Sequence, residues 1–259
     1  IYVALRRVRH MAPTYGFNDM GFPHDDLERN CECVAAAGYD GLEVRVDEAM
    51  LADPGRAERV REVAETYGLE LPSVAASAID SGALASPDEK RRTRAVERAK
   101  RLVREVAADV LGVDTVLLVA GSVTPDNPYD RAYDRALQSA REVARAAGDA
   151  GVTLAVENIQ NDFLTSPLEF ADFVAAVGEA GPAGAYLDVG NARRYGHPEH
   201  WVQVLGDDLH RVHVKGHDKA DERVTYPLLG DVDWDAVAAA LDEVGYDDWI
   251  TPELDPYQS

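Results

Sequence analysis

The sequence alternates along its length between short apolar runs and longer amphipathic stretches, and this alternation constrains the fold more than any other feature. The short runs are continuous series of Val, Leu, Ile and Ala, which is typical of strands buried on both faces of a parallel sheet. Eight strands are predicted, at residues 2–8, 39–46, 69–76, 114–120, 152–157, 184–189, 208–215 and 247–254. A predicted helix follows each of the first seven.

The predicted helices carry recognisable start and stop signals. Ser86 is placed to cap a long helix, with Pro87 in the first turn and Glu89 completing a capping box, and Gly112 marks its end. The same start signal recurs at Ser166. The helices are expected at residues 24–37, 54–67, 86–111, 129–149, 166–180, 197–205 and 233–244.

Eight strand–helix repeats without a compositional boundary predict a single (β/α)8 TIM barrel domain over residues 1–259. A doubly wound sheet is the less favoured alternative. The eighth strand lies close to the end of the sequence, so the last helix is expected to be short or missing.

The net charge of −21 narrows the range of partners. The chain has 47 acidic and 26 basic residues, and only four of the basic residues are lysines, at positions 90, 100, 215 and 219. Such an acidic, lysine-poor surface resembles that of proteins from salt-loving microbes, where dissolved salt screens the repulsion. A field of this sign repels phosphates, so no nucleic-acid partner is expected.

The sequence predicts neither secretion nor a membrane span. It shows no signal-peptide pattern, and no apolar run approaches the roughly 18 residues that a membrane helix needs. Cys31 and Cys33 lie two residues apart, which would point them to different faces of a helix and away from a shared metal or disulfide. A cytoplasmic protein is therefore expected, and the sequence is compatible with a homo-oligomer.

Polar side chains lie at the ends of four successive predicted strands. Glu157 ends the fifth, Asp188 the sixth, and His213 and Glu253 lie in the seventh and eighth. Because the C-terminal ends of barrel strands form one mouth, these side chains are expected to converge there. The next predicted helices begin about nine to ten residues after Glu157 and Asp188, so neither acid is expected to cap a helix.

Two of these strands offer more than one candidate. His210 and His213 are three residues apart on the seventh strand, so at most one is expected to face the barrel interior, and His213 lies nearer the functional end. The eighth strand places Glu253 and Asp255 on the same face.

Three carboxylates in one cavity resist ionising together unless a cation balances them. Three carboxylates and one imidazole form a mostly hard, oxygen-rich donor set. One divalent metal ion is therefore expected, with Mn²⁺ or Mg²⁺ favoured and Co²⁺ or Zn²⁺ as alternatives.

These residues lie in motifs that resemble the xylose isomerase-like TIM-barrel superfamily, in particular its sugar phosphate isomerase/epimerase family. The motifs, from about residue 38 to residue 254, are GYDGLEVR, LAVEN, YLDVGN, RVHVKGHD, GDVDW and TPEL. The resemblance implies that Glu157, Asp188, His213 and Glu253 bind the metal and that the two glutamates are catalytic. It also favours Glu253 over Asp255 as the fourth ligand.

The implied activity is that of a metal-dependent isomerase or epimerase acting on a sugar or sugar phosphate. The metal would hold a carbonyl oxygen and the neighbouring hydroxyl, and one glutamate would remove the proton beside the carbonyl to give a cis-enediolate. The second proton transfer would invert that centre or isomerise the sugar.

The chain departs from the ketose 3-epimerases of this family at two substrate-contacting positions. Asn191 stands where those enzymes have a histidine, and Lys219 where they have an arginine, so the resemblance does not extend to D-psicose or D-tagatose specificity. A role for Glu43 as a structural hydrogen-bond acceptor stays open. The candidates for substrate contact are His10, Glu43, Asn158, Asn191, Lys215 and His217.

Three other functions are compatible with such a barrel. Dehydratases of the 3-dehydroshikimate or inosose type use a similar metal site to eliminate water, and the sequence does not separate them from isomerases. An endonuclease IV-like nuclease needs three zinc ions and more strand-end histidines than the seven histidines of this chain supply. A non-catalytic sugar-binding barrel would be expected to lack part of the ligand set, which is complete here.

Overall fold

Eight parallel strands close into a barrel in the computed structural model, which describes residues 13–22 and 26–254. The barrel strands are β1 (Thr14–Asn18), β2 (Gly41–Arg45), β3 (Val74–Ala75), β4 (Thr115–Leu118), β5 (Thr153–Glu157), β6 (Ala183–Asp188), β7 (Leu209–Val214) and β10 (Trp249–Pro252), while β8 (Gly216–Asp218) and β9 (Arg223–Thr225) lie outside the barrel. Going round the barrel, β1 is followed by β10, β7, β6, β5, β4, β3 and β2. The predicted (β/α)8 barrel is therefore confirmed.

Helices connect the strands on the outside of the barrel. They are α1 (Leu27–Ala36), α2 (Glu48–Ala52), α3 (Pro54–Thr66), α4 (Glu89–Arg101), α5 (Tyr129–Ala150), α6 (Pro167–Gly178), α7 (Val189–Tyr195), α8 (Pro198–Leu205) and α9 (Trp234–Glu243). A π-helical segment, Leu102–Leu111, continues α4 until Gly112, whose φ of 68° ends it. The predictions did not include the short α2 and α7. Within the residues described above, no helix combines the length and the apolar character needed to cross a membrane.

The loop after β7 contains an antiparallel hairpin that the sequence pattern did not predict. It is formed by β8 (Gly216–Asp218) and β9 (Arg223–Thr225). Because it follows the C-terminal end of a barrel strand, it lies on the side of the barrel where catalytic sites form.

The barrel has two apolar layers. The larger lies between the outer faces of the strands and the helices, and it includes the fully buried rings of Phe170, Phe173 and Trp201. The smaller fills the middle of the barrel interior and consists of Ala75, Leu117, Ala155 and Tyr186. This inner layer forms the floor on which the polar residues at the strand ends are placed.

The first strand differs from the prediction. The predicted strand at residues 2–8 lies outside the described residues, and β1 is formed by TYGFN, which the sequence pattern placed in a loop. Gly16 weakens the strand pattern, but a side chain there would come within 2.8 Å of Thr251 Oγ1 on the neighbouring β10. The glycine is thus required for close packing inside the barrel rather than for a turn.

The start of α4 also differs from the prediction. Asp88, not Ser86, is the N-cap, and its carboxylate accepts hydrogen bonds from the backbone N–H groups of Lys90 and Arg91 at 2.9 and 3.2 Å. Ser86 instead accepts a hydrogen bond from the Asp88 N–H at 3.2 Å. Aspartate and serine cap equally well, so the sequence pattern could not choose between them.

Both histidines of β7 face the barrel interior, which contradicts the prediction that at most one does so. The pairing of β6 with β7 is irregular between Ala185 and Tyr186, so that His210 is an extra residue in β7. Its Nε2 lies 2.9 Å from Oγ1 of Thr115 on the inner face of β4. The bulge breaks the strict alternation of the strand, and His210 and His213 lie inside the barrel at opposite ends.

We expect His210 to make the fold less stable as the pH falls from about 6.5 to 4. Burial and then the charge of Arg211 lower the pKa of His210 to about 4, although Asp248 and Asp114 oppose the shift. The unfolded histidine binds its proton near pH 6.5, so stability is lost below that pH and is unaffected above it. Allowing for partial exposure of the ring, the loss is about 1–2 kcal/mol.

This pH effect can be isolated by urea unfolding of the wild type and His210→Gln between pH 4.5 and 8. The glutamine can keep the hydrogen bond to Thr115 but has no ionisation. Titration of the carboxylates contributes equally to both proteins and cancels when their free energies of unfolding are subtracted. Parallel curves of unfolding free energy against pH would therefore contradict the predicted effect of His210.

Candidate metal centre

Four side chains from neighbouring strands converge at the C-terminal end of the barrel. Glu157 is the last residue of β5, and Asp188, the last of β6, pairs with His213 on β7. Glu253 directly follows β10. One donor atom from each of the four side chains lies within 4.8 Å of the others. The structure thus brings together all four residues predicted as ligands.

The four side chains lie mostly out of reach of water. Glu157, Asp188 and His213 are buried, and the side chain of Glu253 is 17% exposed. Burial and then the charge of Glu253 raise the pKa of Glu157 to about 7. Burial also raises the pKa of Asp188, against the opposing charge of Lys215. Negative charge at this position is therefore unfavourable unless positive charge balances it.

The residues present fit a divalent metal ion. Asp188 Oδ1 accepts a hydrogen bond from the backbone N–H of Asn191 at 2.6 Å, whereas its Oδ2 is buried without a hydrogen-bond partner. The Lys215 ammonium is 3.2 Å from Oδ2 but is not aligned for a hydrogen bond. Leaving a buried carboxylate oxygen unsatisfied is costly, and coordination of a cation would satisfy it. The set of three carboxylates and one imidazole is suited to hard and borderline divalent ions.

The expectation that Asp188 does not cap a helix is wrong. Asp188 is the N-cap of α7, which begins at the next residue. The sequence pattern missed this seven-residue helix because a segment so short shows no apolar periodicity. The two roles are compatible, since one carboxylate oxygen caps the helix and the other is left for the site.

Glu43 fixes the orientation of the His213 ring. His213 Nε2 lies 2.6 Å from Glu43 Oε2, while Nδ1 lies 3.1 Å from Glu157 Oε1 and 3.9 Å from Glu253 Oε2. A hydrogen bond donated by Nε2 to Glu43 leaves Nδ1 as the nitrogen that can coordinate a metal. Burial alone would raise the pKa of Glu43, but His213, with help from neighbouring hydroxyls, lowers it to about 2.

Glu43 uses its remaining hydrogen-bonding capacity within the protein. Asn18 Nδ2 donates to Oε2, and the hydroxyls of Ser73 and Tyr186 donate to Oε1, each at 2.7 Å. The side chain is fully buried beneath His213. Glu43 was predicted to contact substrate, but this geometry favours the alternative structural role.

Asn158 and Asn191 hold the end of β6 in place. The Asn158 side chain donates to the Asp188 carbonyl at 3.0 Å and accepts from the Asp188 N–H at 2.8 Å. Asn191 Nδ2 donates to the Asn158 carbonyl at 2.9 Å. Both asparagines are buried. Their predicted contact with substrate stays a prediction, whereas the structure shows Asn158 bonded to the Asp188 backbone and Asn191 bonded to the Asn158 carbonyl and the Asp188 carboxylate.

The other predicted contacts lie at the mouth of the barrel or outside the described residues. Lys215 Nζ is 2.5 Å from Glu253 Oε2. His217 is fully buried, with Nδ1 3.4 Å from Gln160 Nε2 and Nε2 unpartnered. Burial lowers the pKa of His217. His10 lies outside the described residues, so its predicted role stays untested.

Three residues that support the site were not predicted, namely Asn18, Ser73 and Tyr186. Tyr186 lies two residues before Asp188, so strand alternation alone would have placed it on the same inner face. Ser73 lies two residues before Ala75 of the inner layer, so alternation within the predicted strand at residues 69–76 would have placed it on the inner face as well. Asn18 was missed because β1 was placed too early in the sequence.

Solved structures with the same fold include proteins of different activities. One is D-psicose 3-epimerase, crystallised in the presence of D-fructose, with 20% identity, a TM-score of 0.77, and coverage of 93% of this chain and 85% of the epimerase. Another is the IolI protein with a bound zinc atom, with 21% identity, a TM-score of 0.79, and coverage of 94% and 90%. A third is a probable 3-DHS dehydratase, AsbF from Bacillus anthracis, with 14% identity, a TM-score of 0.76, and coverage of 94% and 93%. At these identities the likeness shows a shared fold and no more.

Family membership follows from the sequence match. A search of the curated proteins finds no match. The family model described as xylose isomerase-like TIM barrel matches residues 31–258, which is most of the chain. The protein therefore belongs to the xylose isomerase-like TIM barrel family.

Proposed function

We propose that the protein is a divalent-metal-dependent isomerase or epimerase acting on a sugar or sugar phosphate. The observation that carries the proposal is the placement of two glutamates at one ligand cluster. Glu157 and Glu253 lie 3.1 and 3.9 Å from the same nitrogen, Nδ1 of His213. Epimerisation takes a proton from one face of a carbon and returns one to the other face, and isomerisation returns the proton to the neighbouring carbon. Either reaction needs a base and an acid beside the reacting carbons, and this pair can supply both.

Glu157, Asp188, His213 and Glu253 would hold the metal. When bound, a divalent ion supplies positive charge that polarises a substrate carbonyl and makes the neighbouring C–H bond more acidic. Glu157 or Glu253 takes the proton from that carbon, and the other returns one.

Mn²⁺ and Mg²⁺ suit the oxygen-rich ligand set best, and Co²⁺ or Zn²⁺ is the alternative. The IolI protein, which shares the fold, carries a bound zinc atom, and this supports a metal ion in the present barrel. Elemental analysis of protein purified without added metal is the direct measurement, and about one metal ion per chain is expected for a single site with this ligand count.

A sugar substrate is supported by the epimerase crystallised with D-fructose. The resemblance does not extend to that enzyme's specificity, since Asn191 and Lys219 stand where the ketose 3-epimerases have a histidine and an arginine. A different sugar, or the same sugar with a phosphate group, is therefore expected as the preferred substrate.

A dehydratase is the second candidate, supported by the fold shared with a probable 3-DHS dehydratase. It would use the same base to remove a proton beside a carbonyl, after which a hydroxide leaves instead of a proton returning. An endonuclease IV-like function is less well supported, because in the described part of the chain one potential metal cluster of four residues is found, and that nuclease needs three zinc ions.

We expect the Mn²⁺-loaded protein to exchange the hydrogen beside the carbonyl of its substrate for deuterium in D₂O. Candidate substrates are ketohexoses, cyclic hydroxyketones and their phosphate esters, and proton NMR reports the loss of the C–H signal. An isomerase or epimerase returns a deuterated sugar, whereas a dehydratase forms an unsaturated carbonyl compound that absorbs in the ultraviolet.

Protein treated with a chelator serves as the control for this exchange. Full exchange by metal-free protein would contradict the role of the metal. Failure to bind Mn²⁺, Mg²⁺, Co²⁺ or Zn²⁺ would leave a barrel that binds a ligand without the proposed chemistry.

A further inference from the structure

Lys215 places a positive charge inside the ligand cluster. Its side chain is 11% exposed, and its ammonium lies 2.5 Å from Glu253 Oε2 and 3.2 Å from Asp188 Oδ2. We propose that Lys215 is the built-in counter-ion of the metal-free site and that it competes with the divalent metal for Asp188 and Glu253. This inference rests on the proposed metal site.

The fold provides a slot for the Lys215 side chain. Gly190, the second residue of α7, faces it, and a side chain at Gly190 would come within 2.5 Å of Lys215 Cγ and 2.8 Å of the Lys215 carbonyl oxygen. Gly190 has no positive φ, so backbone conformation does not explain the glycine. The glycine is explained by the space that the Lys215 side chain needs. The backbone around Gly190 therefore allows the ammonium to reach the two carboxylates.

The charge of Lys215 is held by its partners. The ammonium donates a hydrogen bond to Glu253 Oε2 at 2.5 Å and lies 3.2 Å from Asp188 Oδ2, so two carboxylates face the one positive charge. The ammonium thus balances part of the negative charge that a metal would otherwise balance.

Two consequences follow for the protein. The ligand cluster can form before a metal arrives, because Lys215 balances part of its negative charge. A metal that takes the same oxygens meets an existing positive charge, so it binds less tightly than the ligand set alone would allow.

The test is the affinity for Mn²⁺ of wild type and Lys215→Met, measured by isothermal titration calorimetry. The methionine fills the slot without a charge, and we expect it to bind Mn²⁺ at least about tenfold more tightly. Lys90→Met removes an exposed lysine of α4 and should bind like the wild type, whereas Lys215→Arg keeps the charge and should bind no more tightly. Without metal, Lys215→Met should have a lower melting temperature than Lys90→Met.

If Lys215 only supported the fold, Lys215→Met would bind Mn²⁺ no more tightly than the wild type. Equal or weaker Mn²⁺ binding by this variant would therefore overturn the inference. If this variant folds only when Mn²⁺ is supplied, the inference is supported, since the metal then replaces the ammonium. If it folds under neither condition, the inference fails. Absence of Mn²⁺ binding by both the wild type and the variant would refute the proposed function as well.

Discussion

Glu157→Gln is expected to abolish inversion of the substrate carbon, with a loss of activity of about 10²–10⁴-fold. The amide cannot accept a proton, so one of the two proton transfers is lost. The fold should survive, because burial raises the pKa of Glu157 to about 7 and the protein already accommodates a neutral side chain there in part. The measurement is the rate of epimer or isomer formation by NMR at saturating Mn²⁺, which separates loss of the base from weaker metal binding.

Comparison with Glu253→Gln sharpens this prediction. If the two glutamates serve opposite faces of the substrate carbon, each variant loses net inversion but still exchanges the hydrogen of one epimer with D₂O. The two variants should retain exchange on different epimers. Glu65→Gln, an exposed glutamate of α3, is the matched control and should behave as the wild type. Inversion at the wild-type rate by either active-site variant would rule out the two-glutamate mechanism.

The convergence of the ligand set was predictable from the sequence for a simple reason. β5 and β6 are mostly apolar and end on Glu157 and Asp188, His213 lies one residue before the end of β7, and the parallel barrel brings the ends of neighbouring strands together. The positions of Glu157, Asp188 and His213 therefore depend on topology alone, and small errors in strand boundaries do not affect them.

The residues beneath the ligands were not predictable in the same way. Glu43 meets Asn18, Ser73, Tyr186 and His213 from four other strands or loops, and such contacts depend on register across the barrel rather than on a local pattern. The same limit applies to the bulge at His210, which breaks the two-residue alternation on which the prediction relied. A glycine or an asparagine in a short strand weakens the sequence pattern by which the strand could be predicted. In β1 such residues are present, and pairing with the neighbouring strands stabilises the strand nevertheless.

Glu43→Gln is expected to weaken Mn²⁺ binding by about 10–100-fold, the usual cost of changing a hydrogen-bond partner of a metal ligand. The carboxylate accepts a hydrogen bond from His213 Nε2 at 2.6 Å, and its negative charge makes the opposite nitrogen a better metal ligand. A glutamine can keep the hydrogen bond, since the hydroxyls of Ser73 and Tyr186 can turn to accept from its amide. The main change is thus the loss of charge behind the imidazole.

Ser73→Ala is the matched control, because Ser73 donates to the other oxygen of the same carboxylate at 2.7 Å and does not contact His213. Its loss should lower the free energy of unfolding by about 1 kcal/mol, with Mn²⁺ affinity within about threefold of the wild type. Calorimetric titration and urea unfolding of both variants separate the two effects. If Glu43 only supported the fold, Glu43→Gln would lose stability and keep wild-type Mn²⁺ affinity. A loss of affinity in Glu43→Gln alone would show that the buried carboxylate acts on the metal through His213.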